Sequence, residues 1–184
     1  MVSEKQKQFV KTFEGQCMGR YHILYLTLIG LIGGEELKKE VQAQFGRPDY
    51  SPTKLYPQKE ASLMVMHAVE RGVSAERLGG RVPQLFQRKH PELMEIKNKE
   101  EIVDKLLALW ESETSYGQKP IEIIGRGPNR ALLARKINPM PCEFFKGAIL
   151  GIFELFKVPC KCREIKCHWQ DEKENACVYE VTWE

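Results

Sequence analysis

The chain has 184 residues, of which 42% are hydrophobic and 29% charged, and 28 basic against 25 acidic residues leave a formal net charge of only +3. That length suits a single domain over 1–184, and the balance excludes a disordered chain, a collagen-like chain and a strongly basic nucleic-acid arm. The longest apolar stretch, residues 21–34, covers 14 positions and is interrupted by His22 and Thr27. A membrane-spanning helix needs about 20 residues, so this stretch reads as a buried core helix. No secretory cleavage pattern accompanies it, and the expected location is the cytoplasm, where thiols stay reduced.

In chain order, residues 3–32 predict one long helix, with Phe9, Phe13, Cys17, Ile23 and Leu24 near the spacing of an amphipathic face. Gly33 and Gly34 break it, and a short helix resumes over 35–45, ended by Gly46 and Pro48. Three prolines make 47–57 a loop. Residues 60–71 predict a helix with Leu63, Met64, His67 and Ala68 on one side, and Ser74 caps another running toward Arg88. Asn98 caps a helix over 99–113, striped by Ile102, Leu106, Leu109 and Trp110.

The pattern changes near residue 118. Residues 121–124 and 131–137 read as strands joined by a turn at 125–129. Pro139 and Pro141 then open a helix whose buried face is Cys142, Phe145, Ile149, Ile152, Phe153 and Phe156. Two further strands follow at 160–169 and 176–183. The expected architecture is α+β: a helical N-terminal half over 1–117 packed on a small antiparallel four-stranded sheet over 118–184, in strand–strand–helix–strand–strand order.

Five of the six cysteines lie between positions 142 and 177. Cys142 falls in the first turn of the late helix, where the helix dipole stabilises a thiolate. Glu164 and Cys167 fall on the next strand, and Cys177 opens its hairpin partner. Three thiolates and one carboxylate make a four-coordinate shell for Zn²⁺, although the spacing is not that of a zinc finger. The alternative is that these are small buried apolar residues. Cys160 and Cys162, two apart on a strand, offer a second grip, and His168 points to the opposite side of a regular strand. An iron–sulfur site matches no ferredoxin spacing.

Pro141-Cys142-Glu143-Phe144-Phe145-Lys146-Gly147, with Arg163-Glu164-Ile165-Lys166-Cys167 and Ala176-Cys177-Val178-Tyr179, resembles the 4-vinyl-reductase domain family. A myxobacterial paralogous family of about this length is similar through Asn138, Pro141, Phe144 to Gly147 and the terminal Tyr179 to Trp183. The first family belongs with heme-NO/oxygen-binding (H-NOX) sensors and TRAPP tethering subunits in one fold superfamily. The resemblance implies a structural zinc on Cys142, Glu164, Cys167 and Cys177. It also implies a pocket for a small apolar or aromatic ligand between the helical half and the sheet, for which Met64, Trp110, Phe145, Ile149 and Phe153 are the candidate lining. H-NOX sensors hold heme through a histidine on the helix before the sheet and a Tyr-x-Ser-x-Arg motif. Residues 99–113 contain no histidine, and 133–138 lack the motif, so heme is disfavoured through any of His22, His67 or His90.

The expected function is a small-molecule sensor, a homodimer by superfamily resemblance, signalling through a separate output protein. A TRAPP-like interaction scaffold is the alternative. No nicotinamide or flavin signature and no acid/base pair supports a vinyl reductase, so no enzyme activity is expected. The basic cluster Arg81, Arg88, Lys89 and His90 carries too little charge for nucleic acid, and Gly147 and Gly151 suit close helix packing.

Overall fold

A computed structural model of the chain describes residues 2–89, 91, 95–115, 121–136, 139–171 and 173–184. His90, Ile137 and Asn138 lie outside that set. The fold is mixed α+β. Its first half holds α1 (Glu4–Thr12), β1 (Gln16–Met18), α2 (Gly19–Gly33), α3 (Glu35–Phe45), β2 (Leu55–Pro57), α4 (Gln58–Glu70), α5 (Ala75–Gly80), α6 (Val82–Lys89), α7 (Glu101–Glu113) and β3 (Thr114–Ser115). Then come β4 (Ile121–Gly127), β5 (Arg130–Arg135), α8 (Cys142–Leu155), β6 (Cys160–Lys166) and β7 (Cys177–Trp183).

The single helix expected over 3–32 is two helices separated by a strand. α1 ends at Thr12, and Gln16–Met18 pairs with Leu55–Pro57 on one side and with 114–115 on the other. Cys17 is therefore a strand residue opposite Tyr56. Ile23, expected on the buried face, is 39% exposed. The helix expected from Ser74 is also two, α5 and α6, with Arg81 between them. Ser74 does cap α5, its hydroxyl accepting from the Arg77 amide.

The second sheet runs β4-β5-β7-β6, with every neighbouring pair antiparallel. Its outer face carries cross-strand ion pairs, in which Glu180 accepts from both Arg130 and Arg163 and Glu122 meets Lys136. On the inner face, Cys177, Tyr179, Val181 and Trp183 lie beneath α8 in alternating positions.

Pro141 stands at the N-cap of α8, one residue before Cys142, where its missing N–H costs the helix no hydrogen bond. The helix ends at Phe156, beyond which Lys157 takes a left-handed φ of 55° and the Val158 amide reaches back to the Phe153 carbonyl. Only Glu143 and Glu154 of its residues are exposed. The sheet covers one side and α5 the other, and the α5 contact is backbone on backbone. A Cβ added at Gly79 would sit on the Phe144 carbonyl oxygen, one at Gly147 on the Glu76 carbonyl, and one at Gly151 on the Gly80 carbonyl.

Because the obstructing atoms are main-chain carbonyls, Gly79→Ala and Gly151→Ala should each destabilise the fold by about 1–3 kcal/mol. Gly127→Ala, where nothing lies within 4 Å, should stay within about 0.5 kcal/mol. Urea midpoints of the three variants test the contrast; equal midpoints would refute it.

Candidate metal centre

Four side chains from three elements converge at the start of α8. Cys142 is the first residue of that helix. Cys167 lies one residue past β6, and Cys177 opens β7. Their sulfurs form a triangle: 3.6 Å from Cys142 to Cys167, 3.6 Å from Cys142 to Cys177 and 3.7 Å from Cys167 to Cys177. Glu164 brings a carboxylate oxygen into the same group, all four ligand atoms lying within 4.8 Å of one another. These sulfur separations are far beyond a disulfide bond of about 2.05 Å. They are close to the roughly 3.8 Å edge that a tetrahedron with metal–sulfur bonds of about 2.3 Å requires.

Glu164 and Cys167 can serve one site only because β6 is irregular. Three positions apart on a regular strand, they would face opposite sides of the sheet. The register slips between Glu164, opposite Tyr179, and Lys166, opposite Val178, leaving Ile165 as an extra, partly exposed residue. That bulge returns Cys167 to the face of Glu164. The strand expected to run to 169 thus stops at Lys166, and His168 does not point away. It sits in the following loop with Nδ1 3.2 Å from the Cys177 sulfur.

The electrostatics favour a cation. Glu164 Oε1 is buried without a hydrogen-bond partner, a costly state for a carboxylate. The Cys142 thiol is pushed well above the usual range by its hydrogen bond to Cys177 and by burial. Burial, followed by the charge of Cys142, pushes Cys167 up to about 12. Tyr179, fully buried, donates from its hydroxyl to the Cys142 carbonyl at 3.4 Å and ties β7 to the helix start. Cys160 and Cys162 stand apart, opposite Trp183 and Val181, raised by burial to about 11 and about 12. Among the described residues, they join no group of three potential ligands.

The five candidate pocket residues are all buried and belong to one hydrophobic core cluster. Trp110 of α7 meets Phe145 of α8 edge to face at 5.5 Å, and Phe145 meets Tyr179 at 5.0 Å. Phe153, two turns further along α8, packs on Trp183. Ile149 lies between them on the helix, and Met64 sits beside Gly46 at the end of α3. Sequence reasoning passed over Arg135, which is fully buried with its guanidinium 4.6 Å from the Phe145 ring and 5.4 Å from that of Trp110. Strand alternation was the available signal, since Ala131, Leu133 and Arg135 share the inward parity of β5.

His22 and His67, the described histidines considered for heme, are engaged elsewhere. His22, fully buried, places Nε2 3.3 Å from the Pro57 carbonyl, Nδ1 3.9 Å from Cys17 Sγ, and its ring on Tyr50. His67 Nε2 lies 2.8 Å from Glu40.

No protein-family model matches the chain, and no curated protein matches it. Solved structures do. An H-NOX protein from S. oneidensis in the Fe(II)NO ligation state is 12% identical with a TM-score of 0.70, the match covering 91% of this chain and 99% of that one. The unliganded Fe(II) H-NOX protein from K. algicida is 14% identical at 0.68, covering 91% and 96%. A mutant of T. Tengcongensis H-NOX is 14% identical at 0.63, covering 97% of each chain. The chain therefore has an H-NOX-like fold. Among the described residues, no helix is long and apolar enough to cross a membrane.

Thiols raised in this way hold their protons at neutral pH in the metal-free chain. Metal uptake must then release a proton from Cys142 and from Cys167, so apparent affinity should climb with pH by about a hundredfold per unit between about pH 6 and 8. Competition against a chromophoric chelator across that range measures the slope, and a flat profile would exclude thiolate ligation.

Proposed function

We propose that the chain is a small-molecule-binding sensor domain, acting as one unit over 1–184, with a structural zinc on Cys142, Glu164, Cys167 and Cys177. The observation that carries the zinc reading is the triangle of sulfurs 3.6–3.7 Å apart beside a buried carboxylate oxygen with no hydrogen bond. All four positions of a tetrahedral ion would be filled by protein, the arrangement of a structural rather than a catalytic site. Such an ion would cross-link the start of α8 to both strands of the hairpin and supply the positive charge that Glu164 lacks.

The sensor part rests on the H-NOX-like fold. The ligand is a small apolar or aromatic molecule held where α7, α8 and the sheet meet, around Trp110 and Phe145. A change in that packing would pass to a separate output protein, and the working form is a cytoplasmic homodimer without enzyme activity. Heme has no place in this reading. α7 carries no histidine, the described histidines have the partners given above, and the Arg135 guanidinium with the Trp110 and Phe145 rings occupies the interior. Among the described residues, these occupants argue against a heme. A second reading, an interaction scaffold with no small ligand, is favoured by the edge-to-face contacts of Trp110, Phe145 and Tyr179, which already fill the space between helices and sheet.

Elemental analysis and a visible spectrum of one untagged preparation test the proposal together. The expected result is about one zinc per chain and no porphyrin absorption. Cys167→Ser should lower the metal content and reduce stability by about 3–5 kcal/mol. An absorption band of bound heme would overturn the sensor reading as stated. A chain without metal would return the cysteines to the core and leave the scaffold reading ahead.

A further inference from the structure

The N-terminal helix α1 is held against both flanks of the cysteine cluster. Gln6, 3% exposed, donates from Nε2 to the Met140 carbonyl at 2.8 Å, two residues before Cys142. Phe9 lies 5.4 Å, centroid to centroid, from Trp169, two residues after Cys167, and Phe13 lies 5.6 Å behind Phe9. Trp169 in turn lies 3.9 Å from the ring of His168, whose Nδ1 is 3.2 Å from the Cys177 sulfur. A continuous path of contacts therefore runs from a cluster sulfur through two rings to α1.

α1 has nine residues, fewer than the roughly 12–15 that an isolated helix needs in water. It is helical because it is held. Apart from these two anchors, Val10 is fully buried and Lys7 pairs with Glu70 of α4. The α4 pair is independent of the cluster; the Met140 and Trp169 anchors are not.

We propose that metal occupancy at the cluster governs the docking of α1, an inference that rests on the metal reading given above. With the ion bound, Cys142 and Cys167 are held at one separation. The Met140 carbonyl and the Trp169 ring then present a seat of constant spacing to Gln6 and Phe9. Without the ion, the hairpin tip is released from the start of α8 and the seat loses that spacing. α1 opens while α4, α5 and α8 stay packed. His168 is a positioning residue here: in the tautomer protonated at Nδ1, it donates to the Cys177 thiolate while its ring supports Trp169.

Hydrogen–deuterium exchange of the zinc-loaded chain, and of the same chain stripped by a chelator, tests the coupling. Stripping should speed exchange of the amides of residues 7–13 by at least about tenfold and leave α8 and β7 protected. Trp169→Ala, with zinc still bound at the wild-type stoichiometry, should speed exchange at the same amides. Unchanged α1 exchange after zinc has been removed would overturn the coupling. So would a Trp169→Ala chain that exchanges like wild type, or stripping that exposes α8 and β7 as fast as α1. If added zinc is not bound at all, the metal reading itself fails and the coupling falls with it. The measured zinc stoichiometry separates the two failures.

Discussion

The structure depends on the two-sided burial of α8. A helix with one apolar stripe can be covered from one direction, but α8 exposes only Glu143 and Glu154 and is covered by the sheet below and α5 above. Neither cover tolerates much displacement. The sheet side interlocks Phe145 with Tyr179 and Phe153 with Trp183. The α5 side has no side chains between the backbones at Gly79, Gly147 and Gly151. A helix clamped in this way places its first residue reproducibly, and that residue is Cys142.

At the cluster this packing creates an electrostatic problem. Burial alone disfavours every charge at the site, and each thiolate disfavours the next. A divalent cation reverses both effects, because the attraction it supplies grows as the surroundings become less polar. The same group of four side chains is thus poor as a set of isolated acids and good as a ligand shell. The hydrogen bond from Tyr179 to the Cys142 carbonyl and the ring of His168 beside Cys177 add polar support around it.

Much of the C-terminal half was legible because its signals are local. Pro141 ahead of a nearly continuous apolar run announces α8, and period-two alternation announces β7. Cys142, Glu164, Cys167 and Cys177 could be grouped from their residue types and the expected hairpin. What brings the group together could not be read in the same way. Glu164 and Cys167 have the wrong parity for one strand face, and the bulge at Ile165 that repairs it leaves no mark in composition. The N-terminal misreadings have the opposite cause. Residues 3–32 look helical within any local window, and the break at 13–18 exists because Gln16–Met18 finds partners far away in the chain. For Arg135 the mark of burial is strand parity alone, which points it inward with Ala131 and Leu133.

The small sheet β2-β1-β3 bears on how the chain reaches this structure. Cys17 pairs with Tyr56 and with Thr114, so its three short strands are drawn from widely separated stretches. No hairpin turn brings them together, and loop-closure entropy opposes their meeting until something else has shortened the distance. That shortening falls to the helices between them: α2 and α3 must dock before 16–18 can meet 55–57, and α4 to α7 before 114–115 can join. The sheet is therefore a late event in folding, a latch that records the arrival of the helices rather than a nucleus that directs them.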